Sequence, residues 1–287
     1  MLLAAFVAQA QIKIAPKLEN GFKTTYTEVQ TTSLPGQKEL NVTEVVNYVV
    51  SDVTIDGAVV TATIVSVESD ADATDFTGQM MELSQKMLLG QAVQLKVNAD
   101  GKVVGVKNAE EVKSKALEVS VTLLDKLYES IPGLEQMMPK DNLFNQLAGG
   151  FSEEKLAAAY ANSSVLSLNG KTVSNGATET VINEQGIKMN RMYFVAGKSI
   201  ITNDKLNMSK DELKELIIKQ MEQRMPEQAE MIKQNIDLVM GQMKFEATVK
   251  KTYEMQDNGW VKSIKSESSQ DLLGQQTKTV STVTLKQ

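Results

Sequence analysis

The chain contains neither histidine nor cysteine, and this pair of absences constrains it more than any motif does. Without thiols there is no disulfide to tie the fold together, no thiolate nucleophile and no lipid-modified cysteine. Without imidazole there is no Ser-His-Asp or Cys-His relay, no His-ligated zinc and no histidine switch near neutral pH. A hydrophobic core and backbone hydrogen bonds must hold the fold by themselves. At 287 residues the chain is long enough for this, because the fraction of surface buried on folding grows with size.

The charge balance narrows the choice of partners. A net charge of −6 and a pI near 5.0 argue against a nucleic-acid binder, which needs a basic face. The charges are dispersed, so no single-sign run marks an electrostatic address. Leu2 to Ala10 is an apolar run too short to span a bilayer, which takes about 20 residues per helix. It closes on Ala8-Gln9-Ala10, which puts small residues where signal cleavage before Gln11 requires them. The expectation is a signal-peptide remnant over 1–10, a linker over 11–21, and an α+β region over 22–287. That region is either a single domain or two lobes dividing near 150–165. The expected location is periplasmic or secreted, with no transmembrane segment.

Hydrophobic periodicity supplies the elements. Phe22 to Ser33, Val42 to Val53 and Val59 to Glu68 are β-branched, alternating segments. They are separated by the turn signals Leu34-Pro-Gly-Gln37 and Asp56-Gly57. Phe76 to Gly90 switches to helical spacing. Val93, Leu95 and Val97 then alternate into the turn Asn98-Ala-Asp-Gly101, and Val103, Val104 and Val106 return as a hairpin. Asn108-Ala-Glu-Glu111 has the form of a capping box opening a helix towards Ile131, although residues 115–124 fit a strand as well as a helix. Short helices are expected between Leu134 and Ala161, and several strands from Val165 to Asn203. Ser209-Lys-Asp-Glu212 opens a long amphipathic helix to Met243, which Pro226 kinks or splits. The chain ends in β structure from Phe245 to Leu285. Strands that come in hairpins rather than βαβ units predict an α+β fold. The sheet should be antiparallel, curved or half-barrel in form, and covered by amphipathic helices.

Four stretches carry a resemblance. They are the Thr24-Thr-Tyr26 strand, the Val97-Asn-Ala-Asp-Gly-Lys-Val-Val-Gly105 hairpin, Phe151-Ser-Glu-Glu-Lys-Leu156, and the closing Thr252-Tyr-Glu-Met-Gln-Asp-Asn-Gly-Trp-Val-Lys-Ser263. Over most of its length the chain resembles a domain family of unknown function found in exported proteins of Bacteroidota-type bacteria. It departs from that family at Gly170-Lys-Thr-Val-Ser-Asn-Gly176, where a tryptophan-bearing turn is usual. The resemblance implies no reaction and no catalytic residue. At the level of fold alone, the layout is also similar to the open half-barrels of periplasmic lipoprotein carriers.

Residue chemistry adds few candidates. Asp70, Asp72 and Asp75 place hard oxygen ligands at alternate positions, as calcium prefers. The loop lacks the glycine and bidentate acid of an EF-hand, so it reads better as a solvated acidic loop capping the next helix. No metal or other cofactor is expected, and Gly170-Lys171-Thr172 lacks the context of a phosphate loop. Fifteen methionines suit an adaptable apolar surface, though ordinary core filling uses the same spacing. The expected ligand-binding set is Met80, Leu83, Met87, Met221, Met225, Ile232 and Ile236, on two helices covering the sheet. The leading reading is a non-catalytic exported protein that binds an apolar or lipid-like small molecule or an envelope protein. A purely structural envelope protein and a carboxylate-dependent hydrolase are the alternatives.

Overall fold

The computed structural model describes residues 11–33, 35–36, 38–72, 76–183, 186–224, 233, 236–237, 240, 245–272 and 275–286. The fold is α+β. Thirteen strands and six helices occur among the described residues, and eleven of the strands form one antiparallel sheet.

Strands β2 (Lys23–Ser33), β3 (Leu40–Ser51) and β4 (Gly57–Ser69) form the first meander. The hairpin of β5 (Ala92–Asn98) and β6 (Val103–Val106) extends it to one edge. On the other side lie β8 (Thr178–Ile182), β9 (Lys188–Ala196), β10 (Ser199–Leu206), β11 (Glu246–Met255), β12 (Val261–Leu272) and β13 (Gln275–Leu285). The two runs join where β13 lies antiparallel to β2, with Tyr26 opposite Leu285 and Ser33 opposite Lys278. The strands on both sides of the 150–165 region therefore belong to one sheet.

Alternation separates the two faces. Tyr26, Val46, Val60, Ile264 and Val283 point inward and are buried, while Val29, Val65 and Val280 on the outer face are exposed. The main core sits on the inner face, beneath α2 (Ala109–Ser130) and α5 (Glu153–Asn162). Residues 115–124 are helical. Val112, Ala116, Leu124 and Leu127 give α2 one buried stripe, and that 3.6-residue period decides against a strand. Asn108 stands at the N-cap of α2 but makes no capping bond. Its side chain accepts from Gln94 N and donates to Ala92 O, tying the helix start to β5 instead. A satellite cluster joins α1 (Phe76–Lys86), α2 and α4 (Lys140–Gly150), with α3 (Leu134–Met137) between the last two.

Two expectations need correction. The 11–21 segment is docked and does not behave as a linker. Within it, β1 (Ile12–Lys13) pairs with β7 (Thr172–Val173), and Ile14 is buried in the main core. Trp260 Nε1 donates to Lys17 O at 3.2 Å, and the indole stacks on Phe22. Gly259 admits this segment: a Cβ there would lie 2.4 Å from Ala15 O, and its φ of +78° suits glycine.

The second correction concerns the helix expected over Ser209–Met243. Its capping box forms as read, with Glu212 N donating to Ser209 Oγ and Ser209 N donating to Glu212 Oε2. However, α6 spans Lys210–Arg224, and the helical residues beyond it run back alongside. Lys214 pairs with Asp237, Glu222 pairs with Lys233 at 2.7 Å, and Leu213 packs on Ile236 and Met240. In one straight helix Lys214 and Asp237 would stand roughly 34 Å apart. Pro226, which cannot donate a helical hydrogen bond, lies between these stretches and outside the described residues, as does Met243.

The alternation yields a stability test. Ile264 is 1% exposed at the centre of β12, whereas neighbouring Lys265 faces out. Ile264→Ala is expected to destabilise by about 2–5 kcal/mol, and Lys265→Ala by less than about 0.5 kcal/mol. Urea unfolding midpoints check both; equal shifts would reverse the face assignment.

Candidate functional site

Moving along the strands, the inner face changes character. The row Val283–Ile264–Tyr253–Ile200 is apolar and buried. One step away, Gln30, Ser281, Ser266, Lys251 and Thr202 stand side by side on five adjacent strands. A further step brings Thr32, Thr279, Ser268, Val249, Asp204 and Arg191 into line. Two clefts open over this face, one on each side of the Ser- and Thr-rich middle of the sheet.

The first cleft, of about 420 Å³, lies between β2–β4 and the helices α1 and α5. Val46, Ile64, Leu88, Val165 and Val283 supply its apolar wall, and Tyr26, Tyr48 and Tyr160 its aromatic one. Glu28 and Glu44 stand directly opposite each other on β2 and β3 and face into it. Neither carboxylate has a hydrogen bond or ion pair among the described residues. Burial, with the Glu28 charge opposite, pushes the Glu44 carboxyl up to about 7. Burial also raises Glu28, and Lys251 on β11 partly offsets the rise. The Tyr160 hydroxyl is pushed up by burial and by the Glu44 charge.

The second cleft, of about 350 Å³, lies over β8–β11 and is lined by Lys171, Arg191, Asp204 and Lys251 together with Met189 and Val249. Its charges are mostly paired. Arg191 donates to both Asp204 oxygens, from Nε at 2.8 Å and from Nη2 at 2.7 Å. Glu179 accepts from Lys171 and from the Tyr193 hydroxyl. This network locks β8, β9 and β10 together. The Thr202 hydroxyl beside Lys251 is fully buried and has no partner among the described residues.

The residues expected to bind a ligand are not gathered in one place. Met80, Leu83 and Met87 come together, but in the packed cluster of α1, α2 and α4. Ser84 and Gln85 of α1 and Leu88 just after it line the first cleft instead. Ile236 is buried against Leu213 in the α6 cluster. Met221 lies in α6, but its side chain, like Met225 and Ile232 altogether, is outside the described residues. Asp70 accepts from Asn41 N at 2.7 Å and Asn41 Nδ2 at 2.9 Å, bracing β3 against β4. The backbone carbonyl of Asp72 accepts from Gln79, and Asp75 is outside the described residues. Among the described residues, no three potential metal ligands cluster.

Sequence reasoning missed Glu28 and Glu44, although a signal for both was present. Each stands in phase with the inward residues of its strand, Tyr26 for one and Val42, Val46 and Tyr48 for the other. A charge on the apolar phase of a strand calls for an explanation.

No protein family and no curated protein matches the chain, so the resemblance to an exported-domain family gains no family assignment. Among solved structures, the chain is similar to lipovitellin, in a study of its lipid–protein interactions. Identity is 9% and the TM-score 0.40, over 94% of this chain and 26% of that one. The chain thus spans about a quarter of lipovitellin's length. It is also similar to DynF from the dynemicin biosynthesis pathway of Micromonospora chersina. There identity is 8% and the TM-score 0.18, over 97% of this chain and 86% of that one. Among the described residues no helix is long and apolar enough to cross a membrane.

The two clefts predict opposite responses to losing a carboxylate. Asp204→Ala strips the buried Arg191 of both its hydrogen-bonded carboxylate oxygens and leaves only the longer ion pair to Glu179 at 3.7 Å, and is expected to destabilise by about 3 kcal/mol; thermal unfolding checks this. Glu44 behaves in the reverse sense. Its raised pKa means that the folded state holds a proton the unfolded state releases. Stability therefore falls as pH rises from the ordinary glutamate range through about 7. Glu44→Gln is expected to stabilise at alkaline pH by on the order of 2 kcal/mol, with the gain vanishing in acid. A pH-independent difference in denaturation midpoint would contradict the buried titration.

Proposed function

We propose that the protein is an exported, non-catalytic binding protein that holds an apolar or lipid-like molecule over the inner face of its sheet. One observation carries the reading. The first cleft keeps an apolar wall of Val46, Ile64, Leu88, Val165 and Val283 unfilled between the sheet and the covering helices. Its volume of about 420 Å³ falls in the range of small-molecule sites, roughly 300–1,000 Å³. Apolar side chains that line open space forgo contacts a filled core would make, and a hydrocarbon ligand restores them. Met80 and Met87, by contrast, are used in packing, so the ligand meets the sheet and the rims of α1 and α5.

The test is recovery of a bound molecule. Native mass spectrometry of protein purified from its producing cell, followed by organic extraction, is expected to find an apolar molecule in near-stoichiometric amount. Leu88→Trp narrows the cleft from its partly exposed rim, and should abolish this retention while leaving the melting temperature nearly unchanged. Protein that carries no such molecule and takes up no fluorescent fatty chain would overturn the reading. Full retention by the Leu88→Trp variant would move the site elsewhere.

A further inference from the structure

Polar groups converge on the first cleft without finding partners. Glu28 and Glu44 face each other across β2 and β3 and have no hydrogen bond or ion pair among the described residues. Tyr48, only 4% exposed, lines the same cleft, and its hydroxyl has no hydrogen-bond partner there either. The Gln85 carbonyl oxygen on α1 and the Ser163 hydroxyl after α5 are buried and likewise unsatisfied among the described residues. Each such group costs free energy when left unpaired. Two like charges directly opposite on neighbouring strands cost more. The pair braces nothing in the fold, unlike Asp204 in the second cleft, which holds Arg191.

We propose that the first cleft binds the ammonium group of an amine-bearing amphiphile, with Glu28 and Glu44 as its counter-charges. The inference rests on the binding reading above and adds the chemistry of the ligand's polar end. An ammonium has only donors to offer, and the cleft presents the two carboxylates and the Gln85 carbonyl as acceptors. Tyr26, Tyr48 and Tyr160 also line the cleft, and tyrosine rings attract a cation. Two carboxylates repel an anionic head. A calcium ion takes about 6–8 oxygen ligands, more than two carboxylates and one amide provide. The apolar wall beside the carboxylates receives the attached chain.

Three probes with the same chain and different heads test the inference: dodecylamine, dodecanol and dodecanoate. Their affinities are to be measured at about pH 8 by displacement of a fluorescent fatty alcohol. Dodecylamine is expected to bind at least ~10-fold more tightly than either of the others. The Glu28→Gln/Glu44→Gln double variant is expected to lose this preference while holding dodecanol as before. Lys265→Ala, on the outer face of β12 and away from the cleft, should keep the preference in full and serves as a folding control. Equal binding of all three probes would overturn the inference and leave the binding reading standing. Binding of none would overturn both. Calcium uptake that the double variant loses, without an amine preference, would also overturn it. Two further arms locate the source of the ammonium, and either result supports the inference. Retention of dodecylamine with no extraction of phosphatidylethanolamine from vesicles points to a free long-chain amine, and extraction of phosphatidylethanolamine points to a lipid headgroup.

Discussion

The pairing of β2 with β13 is the contact on which the rest of the structure depends. It joins the first and last strands of the large sheet in chain order and makes one sheet of two meanders. Because side chains alternate with a period of two, a slip of one residue would turn Tyr26 and Glu28 outward and bring Thr25 and Thr27 into the core. The same pairing sets Val283 beside Glu28 and, through β12, aligns Ser281 and Ser266 with Lys251. The first cleft takes part of its floor from this register, and the second lies farther along the same sheet. It is also a contact of very long sequence separation, of the kind whose loop-closure entropy makes folding slow.

On that floor the protein treats buried charge in two ways. In the second cleft Arg191 and Asp204 form a bidentate pair, extended by Glu179, Lys171 and Tyr193. Such a pair is expensive to break and has its partners in place. In the first cleft Glu28 and Glu44 confront each other with no cation within bonding distance among the described residues. Unpaired ionisable groups with raised pKa values concentrate where proteins do chemistry or binding. The contrast separates a structural network from a site awaiting a partner.

The covering helices divide in a similar way. Leu83 of α1 and Met87 just after it turn into the packed cluster with α2 and α4, while Ser84, Gln85 and Leu88 line the cleft. At the far side of the sheet, α6 and the helical residues that return beside it bury Leu213, Ile236 and Met240 among themselves. Leu216 faces the other way, onto Met189 and Ala247 of the sheet. Apolar stripes on these helices are thus largely consumed by helix–helix contact. Space for a ligand remains between β2–β4 and the helices α1 and α5.

Local physics made much of this legible in the sequence. Alternating Val, Thr and Tyr marked the strands, Asn98 to Gly101 marked the hairpin turn, and Ser209 with Glu212 marked the start of α6. Each depends on residues within a few positions of one another. Which residues meet was decided only by the tertiary structure. Asn108 had every local reason to cap α2, yet its side chain serves the backbone of β5, brought alongside by the hairpin. The 11–21 segment reads as a linker until Gly259 and Trp260 arrive beside it from the far end of the chain. Glu28 and Glu44 are sixteen positions apart, each readable as out of place on an inward phase. That they face each other, beneath Tyr160 and out of hydrogen-bonding reach of any cation among the described residues, follows from strand register and helix docking, which non-local packing sets and no local pattern encodes.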